Sequence, residues 1–225
     1  LITGAAGFVG HHLIKEFEAN GYTVFTTDVV DAACALPNYT RADLCKRDEL
    51  CELVCKVKPT ACVHLGAISF VPDGDKNPAF LLSVNVAGTV NVAEALRQYA
   101  PSCKLLFVST AQVYGPIASL AAAEELINED APLLPLSMYA ISKVAAERAV
   151  AAYGACHGMD VMIARPANHT GPGQTPRFAT VAFAKQVLAY KTGEQDKLLT
   201  GNLESVRDFT DVRDIVKAYR LIIEQ

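Results

Sequence analysis

The 225-residue chain has no tryptophan and only three methionines, and charged residues make up just 20% of it. The net charge is −4, and the Lys and Arg residues are scattered. No basic stripe therefore faces a phosphate backbone, which sets nucleic acid aside as a partner. Long apolar runs are also missing. Charges such as Glu94 and Arg97, or Glu147 and Arg148, break the apolar stretches before the about 18 residues of a membrane span, so no membrane partner is expected and the chain reads as soluble and cytoplasmic. Cysteine is present seven times, at 34, 45, 51, 55, 62, 103 and 156, but no CxxC and no histidine at zinc spacing accompanies it. Reduced structural thiols and no metal site follow, with Cys51 and Cys55 read as small core-facing residues one helical turn apart.

What the chain does have is apolar bulk, 51% of its residues, enough for one packed domain with part of another. Leu1 stands directly in a strand and is not Met, so residues are expected before it, and truncation is expected at both ends. Short β-rich runs at residues 1–3, 23–27, 61–64, 105–109 and 161–164 alternate with helical patterns at 11–20, 48–58, 79–99 and 139–157, where Pro78 and Ser137 suit helix starts. This order predicts an α/β fold with a doubly wound parallel sheet covered on both faces. Residues 118–130 read as an irregular connection. From Arg165 the run ARPANHTGPGQTPRF reads as a loop that holds no regular element. A helix over 180–190, a short strand near Leu198 and a helix over 212–224 are expected after it. The division is a dinucleotide-binding domain over 1–165 and a smaller, partial substrate lobe over 166–225, interleaved with the sheet.

Two local patterns carry the chemistry. Gly4, Gly7 and Gly10 follow a strand and open a helix, spaced as GxxGxxG, where backbone can approach a pyrophosphate and helix N–H groups can face it. Asp28 ends the second strand, placed to accept hydrogen bonds from the adenosine ribose unless it is only a solvated strand-end acid. A 2′-phosphate there would meet like charge, about 1 to 4 kcal/mol at ~4 Å for effective dielectrics of about 80 to 20. With no basic residue in VVDAACALPNY, NAD(H) is preferred, with NADP(H) the second choice. Asp43 is either a neighbour of the adenine amino group or a turn residue.

The second pattern is YAISK. Tyr139 and Lys143 stand at i and i+4, on one face of a helix, where a cation beside a phenol is expected to hold its pKa below the ordinary ~10. Thr110, at the tip of the fourth expected strand, adds a hydroxyl for a substrate oxygen. General acid–base work of this kind contributes on the order of 10² to 10⁴ in rate.

TGAAGFVG, VHLGA, NVAGT, STAQVYG, YAISK, RPANHTGPGQ and VRDFTDVRD, spread over essentially the whole chain, resemble in kind and order the extended short-chain dehydrogenase/reductase family, in its nucleotide-sugar branch of epimerases, dehydratases and reductases. NHTGPGQ, PRF and GNLESVRDFTDVRDIVKAY are most similar to reductases of GDP-linked 4-keto-6-deoxyhexoses. The resemblance implies a Rossmann fold, an NAD(P)-dependent enzyme and the catalytic residues Thr110, Tyr139 and Lys143. It implies that Gly4, Gly7, Phe8 and Val9 line the pyrophosphate, Asp28 the ribose, and Asp43 and Leu44 the adenine. Leu65, Gly66 and Ala67 would run beneath the dinucleotide, with Tyr139 and Lys143 also at its nicotinamide end. Asn168 and Arg207 would meet the sugar nucleotide, although Arg207 is also placed to pair with Asp208, Asp211 or Asp214.

The implied reaction is reduction of GDP-4-dehydro-6-deoxy-D-mannose to GDP-D-rhamnose. Alternatives are an NAD-retaining nucleotide-sugar 4-epimerase, a GDP-mannose 4,6-dehydratase, or a non-catalytic nucleotide-binding protein. Gln112 replaces the acid that such dehydratases place two residues before the YG tyrosine, and an amide cannot shuttle that proton. Ala167 replaces a usual aromatic and leaves a smaller wall. A homodimer through the helices at 79–99 and 139–157 is the implied assembly.

Overall fold

A computed structural model describes residues 1–31, 36–115, 127–204 and 206–225. Most of the connection expected at 118–130, together with Cys34, lies outside the described residues. Six parallel strands form the main sheet: β1 (Ile2–Thr3), β2 (Thr26–Asp28), β3 (Tyr39–Arg41), β4 (Ala61–His64), β5 (Lys104–Val108) and β6 (Val161–Ala164). Their order is β3-β2-β1-β4-β5-β6, which places the topological switch between β1 and β4. The helices are α1 (Phe8–Ala19), α2 (Arg47–Val57), α3 (Val71–Lys76), α4 (Pro78–Tyr99), α5 (Met138–His157), α6 (Ala179–Lys191) and α7 (Val212–Glu224). The predicted α/β class and doubly wound parallel sheet are what the chain adopts.

Two apolar layers hold the sheet. Leu53, Val54, Val92, Leu96, Ala146 and Val150 from α2, α4 and α5 pack on Leu105 and Phe107. On the other face Leu13, Phe17, Val212, Val216 and Ile223 from α1 and α7 pack on Ile2, Val63 and Leu106. The alternation of Leu105, Leu106 and Phe107 between layers is the period-two consequence of a strand buried on both sides. Helix α4 has the length and hydropathy of a membrane-crossing segment, but Leu81, Val92, Ala93, Ala95 and Leu96 are buried in this core.

The start signals behave as expected. Ser137 Oγ accepts from Ala140 N–H at 3.1 Å, and Pro78 occupies the first turn of α4 behind Asn77, whose side chain accepts from Phe80 N–H. Four expectations are corrected. β3 is an additional edge strand, invisible as a pattern because it is three residues long and follows Asn38, whose φ is +45°. The loop after Arg165 does hold a regular element: β7 (Asn168–Thr170) pairs in parallel with β8 (Phe209–Asp211). No strand forms near Leu198, which is exposed; the second strand lies instead at β8. Cys55 is exposed and Cys51 half-buried at the edge of the core, so only one of the pair touches it.

Candidate active site

The carboxyl ends of the strands open into a cleft of about 780 Å³. Every residue singled out from the sequence as a site residue lines it: Gly4, Gly7, Phe8, Val9, Asp28, Asp43, Leu44, Leu65, Gly66, Ala67, Thr110, Tyr139, Lys143, Asn168 and Arg207. Local geometry explains the first group. Gly4 has φ +67°, and a Cβ there would come 2.7 Å from Gly66 Cα, so the turn lies directly against the strand tip of β4. A Cβ on Gly10 would strike Ala5 O at 2.4 Å. No side chain caps α1, so its first N–H groups remain for an anion in the cleft that Phe8 and Val9 border. Asp28 braces this turn, accepting from Ala6 N–H at 3.0 Å and Val29 N–H at 2.7 Å. These residues fit a dinucleotide pyrophosphate and its ribose. Asp43 Oδ1 accepts from Cys45 N–H at 2.9 Å, so it acts as a turn residue while lining the cleft.

At the opposite end, Tyr139 and Lys143 leave α5 on one face, as their spacing requires, and both are buried. The predicted effect of one on the other is corrected. Burial dominates and pushes the Tyr139 phenol up to about 12, with a hydrogen bond to Thr110 pulling the other way. Lys143 Nζ donates to Val108 O at 2.8 Å and stands 4.7 Å from the Phe107 ring centroid, and burial lowers its pKa to about 8. Tyr139 therefore keeps its proton at neutral pH, the state a proton donor needs. Arg207 makes none of the three carboxylate pairs it was weighed against; its Nη1 donates to Val206 O at 2.7 Å.

Other residues have roles that local sequence did not announce. Among the described residues, three buried hydroxyls lack a hydrogen-bond partner, on Thr27, Ser109 and Tyr219, and all three residues line this cleft. Orphaned buried donors cost about 1–3 kcal/mol each, and their concentration here marks the wall as built for polar contacts.

Beneath the cleft a buried chain of hydrogen bonds ties the glycine turn to the tyrosine helix. Gly66 N–H donates to Thr3 Oγ1 (3.3 Å), which bonds His64 Nδ1 (2.6 Å); His64 Nε2 bonds Thr89 Oγ1 (3.0 Å), which donates to Asn85 O (2.6 Å). Thr89 spends its hydroxyl proton on Asn85, so Nε2 carries the imidazole proton. The Asn85 side chain, in the π-helical turn Ser83–Ala87 of α4, then donates to Ser142 Oγ (2.9 Å), which donates to Tyr139 O (2.7 Å).

Burial lowers the His64 pKa to about 3, with the Lys143 charge adding to the effect. The folded chain holds His64 neutral while the unfolded chain protonates it near 6.5, so stability is complete above about pH 6.5 and declines as pH falls toward 3. The slope from this residue is up to about 1.4 kcal/mol per pH unit. Urea unfolding at pH 6.5 and 5 should therefore differ by about 1.6 kcal/mol more in the wild type than in a His64→Gln variant. Equal pH dependence in the two would refute the assignment.

The NAD dependent epimerase/dehydratase family matches residues 1–225. The chain belongs to this family. It is an NAD(P)-dependent oxidoreductase of the extended short-chain dehydrogenase/reductase type, as the glycine turn and YAISK helix led one to expect. Among relatives, GDP-6-deoxy-D-mannose reductase of Pseudomonas aeruginosa is 37% identical over 221 residues, covering 97% of this chain and 68% of the relative. The structure of RMD from Pseudomonas aeruginosa complexed with NADPH superposes with a TM-score of 0.85 at 35% identity, over 99% of this chain and 73% of that one. The Thermus thermophilus UDP-glucose 4-epimerase in complex with NAD also reaches 0.85, at 29% identity, over 100% of this chain and 74% of that one.

Proposed function

We propose that the chain reduces a GDP-linked 4-keto-6-deoxyhexose, GDP-4-dehydro-6-deoxy-D-mannose, to GDP-D-rhamnose. The observation that carries the reading is geometric: Tyr139, a buried phenol, lines the cleft together with Thr110 and Lys143 at the carboxyl ends of the strands. Reduction of a ketone adds a hydride to C4 and a proton to its oxygen. A bound nicotinamide supplies the hydride. Tyr139 supplies the proton, Thr110 holds the carbonyl oxygen, and Lys143 orients the ribose hydroxyls. Gly4, Gly7, Phe8 and Val9 hold the pyrophosphate and Asp28 the adenosine ribose, while Asn168 and Arg207 face the sugar nucleotide.

Gln112 lines the cleft where a dehydratase would need an acid, which favours reduction over loss of water. The 37% identity to a GDP-6-deoxy-D-mannose reductase supports the same substrate class. An epimerase with the same catalytic residues would retain its cofactor through many turnovers, whereas a reductase must release it. Mixing the protein with the keto sugar and NADH or NADPH should consume the nicotinamide absorbance in proportion to GDP-D-rhamnose formed. Absence of turnover with both cofactors would refute the reductase reading.

A further inference from the structure

The preference for NAD expected from the sequence rests on Asp28 standing without a cation nearby, and the structure puts one beside it. Arg41 on β3 is in register with Asp28 on β2. Paired positions of neighbouring parallel strands project to the same face, so Arg41 leaves the sheet on the side of Asp28, next to Ala42 and Asp43, which line the adenosine end of the cleft. Arg41 is not committed to Asp28. Its Nε meets Asp31 Oδ1 at 3.3 Å, and the Asp31 side chain is 97% exposed. A pair this solvated is weak and exchanges readily for a stronger anion. Asp28 already accepts two backbone N–H groups, which offset part of its charge and leave lone pairs for a ribose hydroxyl.

We propose that Arg41 admits a phosphate on the 2′-oxygen of the adenosine ribose, so that the chain binds NADP(H) as well as NAD(H). The inference rests on the dinucleotide reading of the cleft and extends it to the choice between cofactors. A guanidinium presents a planar fork that two phosphate oxygens can accept from at once, and its charge opposes the repulsion from Asp28. The compensation comes from the neighbouring strand β3, through its register with β2.

Fluorescence titration of NADPH and NADH into the wild-type chain, Arg41→Ala and Arg41→Lys tests this without turnover. The Kd for NADPH should rise about 10- to 100-fold in Arg41→Ala, each tenfold being about 1.4 kcal/mol, while that for NADH stays within about twofold. Arg41→Lys should fall between, because it keeps the charge and loses the fork. Adenosine 2′,5′-bisphosphate should displace NADH from the wild type and do so far less well from Arg41→Ala. Equal weakening of both dinucleotides, unchanged NADPH affinity in Arg41→Ala, or a wild type that binds NADH alone would overturn the role of Arg41 and leave the cleft a dinucleotide site. Binding of neither dinucleotide by the wild type would overturn both.

Discussion

Tyr139→Phe should lower kcat for reduction of the keto sugar by about 10² to 10⁴ while leaving NAD(P)H affinity and the unfolding midpoint nearly unchanged. The ring is 8% exposed and packed, so phenylalanine keeps the volume and removes one oxygen whose bond is to Thr110. The proton and that one hydrogen bond are what is lost. Because burial holds the phenol near 12, the wild-type donor stays protonated through neutral pH, and the loss should be uniform from pH 6 to 8. A variant with wild-type kcat would mean that another group donates, and the buried hydroxyl of Tyr219 on the same wall would be the first to examine. A variant that also fails to bind NADPH would assign Tyr139 to cofactor binding and remove it from the proton step.

What could be read from the sequence was local. The glycine turn, the YxxxK face and the long helices depend on residues within a turn or two of one another, and all fell where their spacing placed them. β3 was hidden because Tyr39–Arg41 is short, polar and flanked by a left-handed Asn38, so neither alternation nor length marked it. With it went Arg41, whose relation to Asp28 exists only through strand pairing. β7 and β8 were hidden for a different reason. Asn168 pairs with Phe209 across some forty residues, and each strand gains its hydrogen bonds only from the other. The electrostatics failed at a third level. The i, i+4 spacing correctly placed Lys143 on the face of Tyr139, but rotamers and burial decide where an ammonium points, and here it turns to Val108 O. His64 and Asn85 read as parts of motifs; that they join through Thr3, Thr89 and Ser142 into one buried chain depends on two strands and two helices meeting.

The same dependence on tertiary meeting points makes Arg165→Ala the most destabilising substitution expected at a charged position. Arg165 follows β6 and reaches back to α5, where Nη2 donates to Glu147 Oε2 at 2.8 Å and Nε bridges both carboxylate oxygens at 3.1 and 3.2 Å. Its Nη1 donates to Tyr114 OH and Glu129 O, each at 2.9 Å, so one guanidinium joins the catalytic helix to the turn that carries Thr110. The Glu147 side chain is 2% exposed. Truncating the arginine leaves that carboxylate buried without its cation, a situation that costs about 3–5 kcal/mol, and for a chain of this size Tm should fall by roughly 6–20 °C. Removing both charges should cost less than removing one. In Arg165→Met/Glu147→Leu the desolvation penalty disappears with the pair, so much of the stability should return, while kcat stays depressed because the loop carrying Thr110 is no longer fixed to α5. Denaturant unfolding of the two single variants and the double variant measures this directly. Additive losses in the cycle would mean that Glu147 finds another partner or water when Arg165 is gone, and that the ion pair is not what joins β6, α5 and the Thr110 turn.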